Sequence, residues 1–421
     1  MIAGPADVLE AALGRAFAAG PPGAIGVALS GGGDSVALTV LLADWAAARG
    51  VSLHAATVNH HLRPEAQDEA EAAARLCRDL GLSHDVLHWQ RVDPARGNLQ
   101  DAARRARQRL LSDWAQGRGI GHVALGHSLD DQAETLLMRL ARGSGVDGLS
   151  AMAEARRDAR GVIWLRPLLA VPRAALRETL RARGIGWAED PSNADPRFDR
   201  VRARRALKAL APLGIDAAGL AATAARMAQA RVALGEAAVA LCGRVASVDS
   251  AGTLQIASDY WDAPADLRER LLAQALMWLG QAEYRPRHAA LRDLARGLQE
   301  GRSGTLLGCE ARVSPDSGFW LLREYRAVAD LSTAPGALWD GRWRLHPPPG
   351  LSVAGLRVAA LGAAGLAQCP DWRRAGLARR ALLSVPGAWC GAELVAAPLL
   401  RDDPGWWLEL AEGRDELCRK L

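Results

Sequence analysis

The chain has 421 residues and almost no lysine. Lys208 and Lys420 are its only two, so 50 of the 52 basic residues are arginines. A phosphate loop of the GxxxxGK[ST] kind is excluded, because neither lysine stands in such a setting. A Schiff-base mechanism would have only these two to choose from. Paired cysteines are missing too. Cys77, Cys242, Cys309, Cys369, Cys390 and Cys418 are scattered without CxxC spacing, which argues against a zinc ribbon, an iron–sulfur site or a redox dithiol. Reduced, buried thiols in a cytoplasmic protein are expected instead. No stretch offers the roughly 18 apolar residues that span a bilayer; the Ala-rich run over 217–243 is interrupted by Arg226, Arg231 and Glu236. The N-terminal MIAGPADVLE lacks a basic segment before an apolar one and does not read as a secretory signal. No membrane association is expected. The composition, 49% apolar and 24% charged, is that of a folded chain, and its length suggests two or three domains.

The first half alternates strand and helix signals. Ile25–Leu29 is a short apolar run ending in Ser-Gly-Gly-Gly, followed by a helical stretch from Asp34 to Ala48. Strands are expected at Leu53–Val58, Asp85–His88, His122–Leu125 and Val162–Leu165, and helices at Glu65–Leu80, Leu99–Trp114, Asp130–Ala141 and Arg173–Arg183. This alternation predicts an α/β, doubly wound parallel sheet with its ligand beyond the carboxyl ends of the strands. Near Pro212 the pattern changes to Ala- and Leu-rich helices at Ala217–Cys242, Ala265–Leu279 and His288–Gln299, then a hairpin-like stretch at Gly304–Leu322. The expected domains are 1–212, catalytic; 213–330, mainly helical; and 331–421, small and mixed or β-rich.

Charge is unevenly placed. Residues 1–212 hold 28 basic and 24 acidic side chains, most of the chain's net +5. The local excess is Arg197, Arg200, Arg202, Arg204, Arg205 and Lys208 around the single acid Asp199. A solvated helix face and a contact with a polyanion such as nucleic acid are both compatible with that run. Nine of the fourteen tryptophans lie beyond residue 250; core packing is the expected role of most, with base stacking open to some.

The sharpest motif is Ser30-Gly31-Gly32-Gly33-Asp34-Ser35, between a strand and a helix. Its glycines let backbone N–H groups approach a ligand, and the helix N-terminus favours phosphate. Ser30 and Ser35 add hydroxyls. Asp34 would repel phosphate without a cation between them, so magnesium (Mg2+) is expected. A second motif, Gly126-His127-Ser128-Leu129-Asp130-Asp131-Gln132-Ala133-Glu134-Thr135, also follows a strand and opens a helix. His127, Asp131 and Glu134 are four and three apart and share a face. Two carboxylates beside a phosphate site make a metal seat or an acid–base pair. Helix capping by Ser128 or Asp130 accounts for part of the pattern.

SGGGDS resembles the loop of the N-type ATP pyrophosphatases, the PP-loop superfamily. Further strings narrow the likeness: Asn59-His60-His61-Leu62-Arg63-Pro64-Glu65-Ala66, Arg139 through Leu149, Arg166-Pro167-Leu168-Leu169 and Glu189-Asp190-Pro191-Ser192-Asn193. Together they resemble the tRNA(Ile)-lysidine synthetases over about residues 20–210, with Gly304–Gly308 and Arg323-Glu324 weakly similar beyond. The resemblance implies ATP-dependent ligation of free L-lysine to the wobble cytidine of the tRNA(Ile) whose anticodon is CAU. The cytosine carbonyl oxygen is adenylated first and the lysine amine then displaces AMP. Ser30, Gly31, Gly32, Gly33, Asp34 and Ser35 are then implied to hold the ATP phosphates. Asp34, Asp131 and Glu134 would surround magnesium and the attacking amine, and His127 the reacting cytosine. Arg104 and Arg107 would approach the cytidine or the lysine. Where the family usually has Arg-Asn, this chain has Arg200-Val201. The absence of paired cysteines and of a glutaminase segment sets it apart from thiolating and amidotransferase relatives. A homodimer is compatible with a large RNA substrate. Two alternatives are adenylation of another RNA base or small molecule by the same loop, and a catalytically silent RNA-binding protein.

Overall fold

A computed structural model of the chain describes residues 4–60, 66–89, 99–189, 197–411 and 413–421. The chain divides into two compact units, Met1–Arg231 and Val232–Leu421.

In the first unit, helix α1 (Pro5–Ala16) precedes strand β1 (Ala24–Ala28), α2 (Gly33–Ala47), β2 (Ser52–Asn59), α3 (Ala66–Asp79), β3 (Ser83–His88), α4 (Leu99–Gly117) and β4 (His122–Leu125). Then come α5 (Leu129–Leu140), the single turn α6 (Val146–Leu149), β5 (Ala155–Arg157), β6 (Ile163–Leu165), α7 (Arg173–Ala182), α8 (Asp199–Leu210) and the long α9 (Ala217–Val245), within which the division between the units falls. The six strands form one sheet in the order β3-β2-β1-β4-β6-β5. All pairings are parallel except β5 with β6. Strand order therefore reverses between β1 and β4, the switch point beyond whose carboxyl ends such sheets bind their ligands. The edge strand β5 was not expected. Its Ala-Arg-Arg is wholly exposed and carries no apolar alternation to mark it, and its charge blunts the open edge.

Helices cover both faces of this sheet. On one face α2 is buried nearly all round, with Val36 to Leu42 packed among Leu9, Leu13, Ile25, Val27, Leu176 and Leu180. On the other, Leu111, Trp114 and Ala115 of α4 pack on Ala28, Ala56, Val123 and Trp164. Trp114 reaches the sheet because Gly26 lacks a side chain; a Cβ there would lie 2.8 Å from its ring. The indole N–H donates to Asp85 Oδ2 at 2.7 Å, so the buried ring keeps its polar atom satisfied.

The second unit contains an antiparallel sheet ordered Ala246–Val248, Leu254–Ile256, Phe319–Arg323, Cys309–Val313, Gly304–Leu306, packed with the helices Ala265–Gly280 and His288–Gln299. The stretch expected as a hairpin thus supplies three strands of a larger sheet. Two smaller antiparallel sheets follow in residues 332–410. Ala251 and Leu322 join a cluster with Leu361, Leu382 and Trp389. A shared core therefore crosses the expected boundary at 330. Trp278, Trp339, Trp343 and Trp389 are buried, whereas Trp407 is 52% exposed and stacks on His346 with ring centres 3.8 Å apart.

The expectation of six reduced, buried thiols needs correcting. Cys242 and Cys418 form a disulfide, with Cα atoms 6.0 Å apart, because the final helix, Arg414–Arg419, folds back onto the unit's core through Leu417. Cys390 is exposed; Cys77, Cys309 and Cys369 are free and buried. No single helix among the described residues is long and apolar enough to cross a membrane.

Candidate active site

The β1–α2 connection is held open by its own serines. Ser35 Oγ donates to the Gly32 carbonyl at 2.8 Å, accepts from the Ser30 backbone N–H at 3.1 Å, and lies 3.0 Å from Ser30 Oγ. Gly31 takes φ +81°, a left-handed conformation that glycine adopts without strain. Ala188 N–H donates to the Gly31 carbonyl at 3.0 Å, pinning the loop from the far end of the unit. Helix α2 starts at Gly33 without a side-chain cap. The first backbone N–H groups of an α-helix have no acceptor within the helix, which is what an anion site requires.

The β4–α5 connection lies directly against this loop. At Gly126 a Cβ would meet Ser35 Cα at 2.7 Å and Asp34 O at 2.8 Å. Only a glycine lets the two turns approach so closely. Ser128 begins α5, and its N–H donates to Asp131 Oδ2 at 2.9 Å, as does its hydroxyl at 3.0 Å. Capping thus explains part of the motif, yet Asp130 caps another helix: its Oδ2 accepts the Arg173 backbone N–H of α7 at 2.7 Å.

Three carboxylates from two helices meet here. Asp34, Asp131 and Glu134 have side chains 18%, 6% and 1% exposed. Arg173 reaches all three. Its Nε donates to Asp34 at 2.9 Å, Nη2 to Asp131 at 3.1 Å and Nη1 to Glu134 at 3.3 Å. Arg204 Nε donates to Glu134 Oε1 at 2.6 Å, and Arg200 lies 3.8 Å from Asp131. Burial raises the Asp34 carboxyl above its ordinary range, and the Arg173 guanidinium only partly offsets this. For Asp131 burial acts the same way, but Arg173, the Ser128 N–H and Arg200 outweigh it and its pKa is lowered.

Beside the acids lies a basic half. Burial, with the fields of Arg166, Arg200 and Arg107, drives His127 down to about 3 against the pull of Asp131. The ring is therefore neutral near pH 7. Burial and the charges of Arg104 and Arg200 lower Arg107, and burial with Arg156 and Arg104 brings Arg166 to about 10. Four buried polar atoms in this region have no hydrogen-bond partner: His60 Nδ1, His127 Nδ1, Glu134 Oε2 and Arg166 Nε. Buried polar groups are nearly always paired, so these four are available to water or to a polar ligand.

The structure thus brings Ser30, Gly31, Gly32, Gly33, Asp34, Ser35, His127, Asp131 and Glu134 together. Arg107 joins through its field on His127, and Arg104, which is exposed, through its field on Arg166. His61–Glu65, Asp190–Asn193 and Pro196 lie outside the described residues. Val201, where the family pattern has Asn, is a buried core residue. Sequence reasoning passed over Arg173, Arg200 and Arg204 as site residues. Arg173 had a signal: it sits at the first position of α7, where a cation opposes the helix dipole. Arg200 and Arg204 are four apart and share a face, so part of the basic run turns inward to the acids.

The donor set of Asp34, Asp131 and Glu134 consists of hard oxygens, the chemistry magnesium prefers. As arranged, it does not fit a metal ion, because the Arg173 guanidinium lies at its centre. Among the described residues no group of three or more His, Cys, Asp or Glu is placed to hold a metal.

Loop, switch point and carboxylate cluster define a class, the PP-loop ATP-utilising proteins, and the PP-loop domain family matches residues 6–210. The chain is 47% identical to the tRNA(Ile)-lysidine synthase of Ruegeria pomeroyi over 96% of its length and 95% of that protein's. It is 38% identical to that of Rhizobium meliloti over 79% of this chain and 75% of the relative. Among solved structures, the U34-tRNA thiolase NcsA from Methanococcus maripaludis aligns with 53% of this chain and 75% of that one, at TM-score 0.46 and 20% identity. The chain belongs to the tRNA(Ile)-lysidine synthase family.

Proposed function

We propose that this chain uses ATP to join free L-lysine to the wobble cytidine of the CAU-anticodon tRNA(Ile), forming lysidine, AMP and pyrophosphate. The observation that carries this reading is the adjacency of an uncapped, serine-braced phosphate loop to a buried carboxylate cluster and a neutral histidine, in a chain related to lysidine synthases along almost all of its length.

In the first step the cytosine carbonyl oxygen attacks the α-phosphorus of ATP and pyrophosphate leaves. The N–H groups at the start of α2 and the Ser30 and Ser35 hydroxyls hold the phosphates as charge builds on the leaving group. His127, neutral and with an unpaired Nδ1, is suited to a hydrogen bond with the base rather than to carrying charge. In the second step the lysine amine attacks the activated carbon and AMP leaves. Asp131, held as an anion, accepts a proton from the incoming ammonium, and Glu134 Oε2 offers a second acceptor. Arg107, Arg166 and Arg200 form a cationic wall suited to the lysine carboxylate or the RNA phosphates. Magnesium, when it accompanies ATP, neutralises phosphate charge; no step is assigned to it at the carboxylates, which Arg173 already engages.

The test is mass spectrometry of CAU-anticodon tRNA(Ile) after incubation with the protein, ATP and labelled lysine. Label on the wobble cytidine, dependent on ATP, is expected. Label on no tRNA from an otherwise folded preparation refutes the reading. Labelling of another base or another tRNA assigns the loop a different substrate. A dimer and a cytoplasmic location are compatible with this function and are checked by light scattering and cell fractionation.

A further inference from the structure

The three buried site carboxylates call for a positive charge, and the chain supplies one itself. Arg173 is fixed at both ends. Its backbone N–H is bonded to Asp130 Oδ2 at 2.7 Å, and the adjoining Val171 carbonyl accepts the Leu129 N–H at 2.9 Å. The start of α7 is thereby stapled to the start of α5. From that anchor the guanidinium spreads its donors to Asp34 on α2 and to Asp131 and Glu134 on α5. Arg200 pairs with Asp131 at 3.8 Å and Arg204 with Glu134 at 2.6 Å, whereas Arg173 reaches all three. Other charged or titratable groups facing the cluster are Arg200 and Arg204 from α8, His127 from the β4–α5 turn and Asp130 beside it.

Geometry alone gives this arrangement two consequences. A guanidinium is rigid and planar, so it fixes the spacing of the three carboxylates as well as their charge. It also stands where any further cation would have to sit, whether a divalent ion or a substrate ammonium. Glu134 has its Oε2 buried and unpaired even so, an acceptor left over after the arginine has used Oε1.

We propose that Arg173 is a resident, displaceable counter-cation: it positions Asp34, Asp131 and Glu134 and yields its place when a cationic ligand engages them. It is a positioning residue, acting through the carboxylates. The proposal builds on the reading of those carboxylates as the reaction centre, but its primary test does not depend on turnover.

The test measures Mn2+ binding to the nucleotide-free, full-length protein by electron paramagnetic resonance, with L-lysine binding by calorimetry in parallel. Arg173→Met keeps much of the side-chain length and removes the charge; Arg173→Lys keeps the charge and loses the fork. Arg173→Met is expected to bind Mn2+ about tenfold tighter than wild type or more, because two or three buried carboxylates lose their internal competitor. Arg173→Lys is expected to fall between. If Arg173→Met does not fold, as judged by circular dichroism, the Arg173→Lys comparison decides. No gain in affinity for either Mn2+ or lysine in the folded variant overturns the proposal. A gain for Mn2+ alone assigns the displacing ligand to the divalent ion, and a gain for lysine alone to the ammonium. In turnover, Arg173→Met is expected to lose kcat by more than it changes the KM for ATP, with partial rescue in Arg173→Lys. If Asp34→Asn and Asp131→Asn are fully active, the catalytic reading of the carboxylates fails while the Mn2+ result still stands on its own.

Discussion

Gly126 gives the sharpest prediction, because its replacement sets one small group against backbone. An added Cβ would lie 2.7 Å from Ser35 Cα, 2.8 Å from the Asp34 carbonyl oxygen and 2.8 Å from the Ser35 nitrogen. Ordinary contact begins near 3.4 Å, so Gly126→Ala must part the β4–α5 turn from the first turn of α2 by about 0.7 Å. No flexible side chain can absorb this. Overpacking of this kind costs about 1–3 kcal/mol, which in a domain of this size lowers Tm by roughly 2–12 °C. The functional cost is larger. The displaced turn carries Asp34 and Ser35, and a shift approaching 1 Å at reacting groups costs on the order of a hundredfold in rate. The assay is lysidine formation with kcat and the KM for ATP determined separately, alongside thermal melting. Two neighbours serve as controls. Gly32 has φ −73° and its nearest foreign atom, Ser30 Oγ, would be 4.0 Å from a Cβ, so Gly32→Ala should keep its Tm, and any lost activity would report on the bound phosphate. Gly31→Ala has room but must hold φ +81°, at a cost of about 1–2 kcal/mol. A Gly126→Ala protein with wild-type kcat and KM would refute the claim that the two turns are packed to form one site.

Three further outcomes are expected. Arg204→Met removes the 2.6 Å partner of a carboxylate that is 1% exposed; with Arg173 still on Glu134, the loss in unfolding free energy should be about 1–3 kcal/mol by denaturant titration. Nitrogen NMR of the His127 ring should show a neutral imidazole throughout pH 5–8, as burial holds its pKa near 3; a titration near 6.5 would contradict the basic wall. Asp158 accepts from Ser112 Oγ, Trp164 Nε1 and the Arg160 and Val162 N–H groups at 2.7–3.0 Å. Burial pushes its pKa up, but these bonds outweigh it and lower the net value. A lowered carboxyl contributes stability above its unfolded pKa of about 3.9 and loses it as pH falls through the folded value. Asp158→Asn should therefore melt lower than wild type at pH 7, and the gap should close in acid.

The sheet was legible because its strands are short apolar runs closed by turn residues, and because His122–Leu125 and the Ser-Gly-Gly-Gly after Ile25–Leu29 mark their ends without ambiguity. Helix α2 was legible by position rather than by pattern. It is apolar on every side, so no amphipathic period distinguishes it from a buried strand, and the glycines before it decide the matter. β5 carries no such mark, since an exposed Ala-Arg-Arg pairs through backbone alone. Beyond residue 245 the strands are mostly three to five residues long. Several of their pairing partners lie far apart in sequence, as with Leu254–Ile256 against Phe319–Arg323, and local pattern does not reveal such partners. The Cys242–Cys418 link joins residues 176 positions apart, a proximity that only the closed fold creates.

The site divides along the same physical line. The residues named from the sequence are those whose placement follows from local geometry: the glycines and serines of the β1–α2 turn, and His127, Asp131 and Glu134 at helical spacing. Residues that act by reaching across were not among them. Arg173 and Arg204 come from helices well downstream in sequence of the carboxylates they engage. What would have exposed them is electrostatic misfit. Three buried carboxylates that converge on one place call for positive charge to be brought in beside them. With almost no lysine in the chain, that charge had to be arginine. An arginine at the first position of a helix, and two others four apart beside buried Val201 and Ala203, are placed against dipole and solvent alike unless acids wait on the inner side. Part of the basic run thus turns inward: from α8, Arg200 and Arg204 reach Asp131 and Glu134, while Arg202 pairs with Asp199 on the same helix.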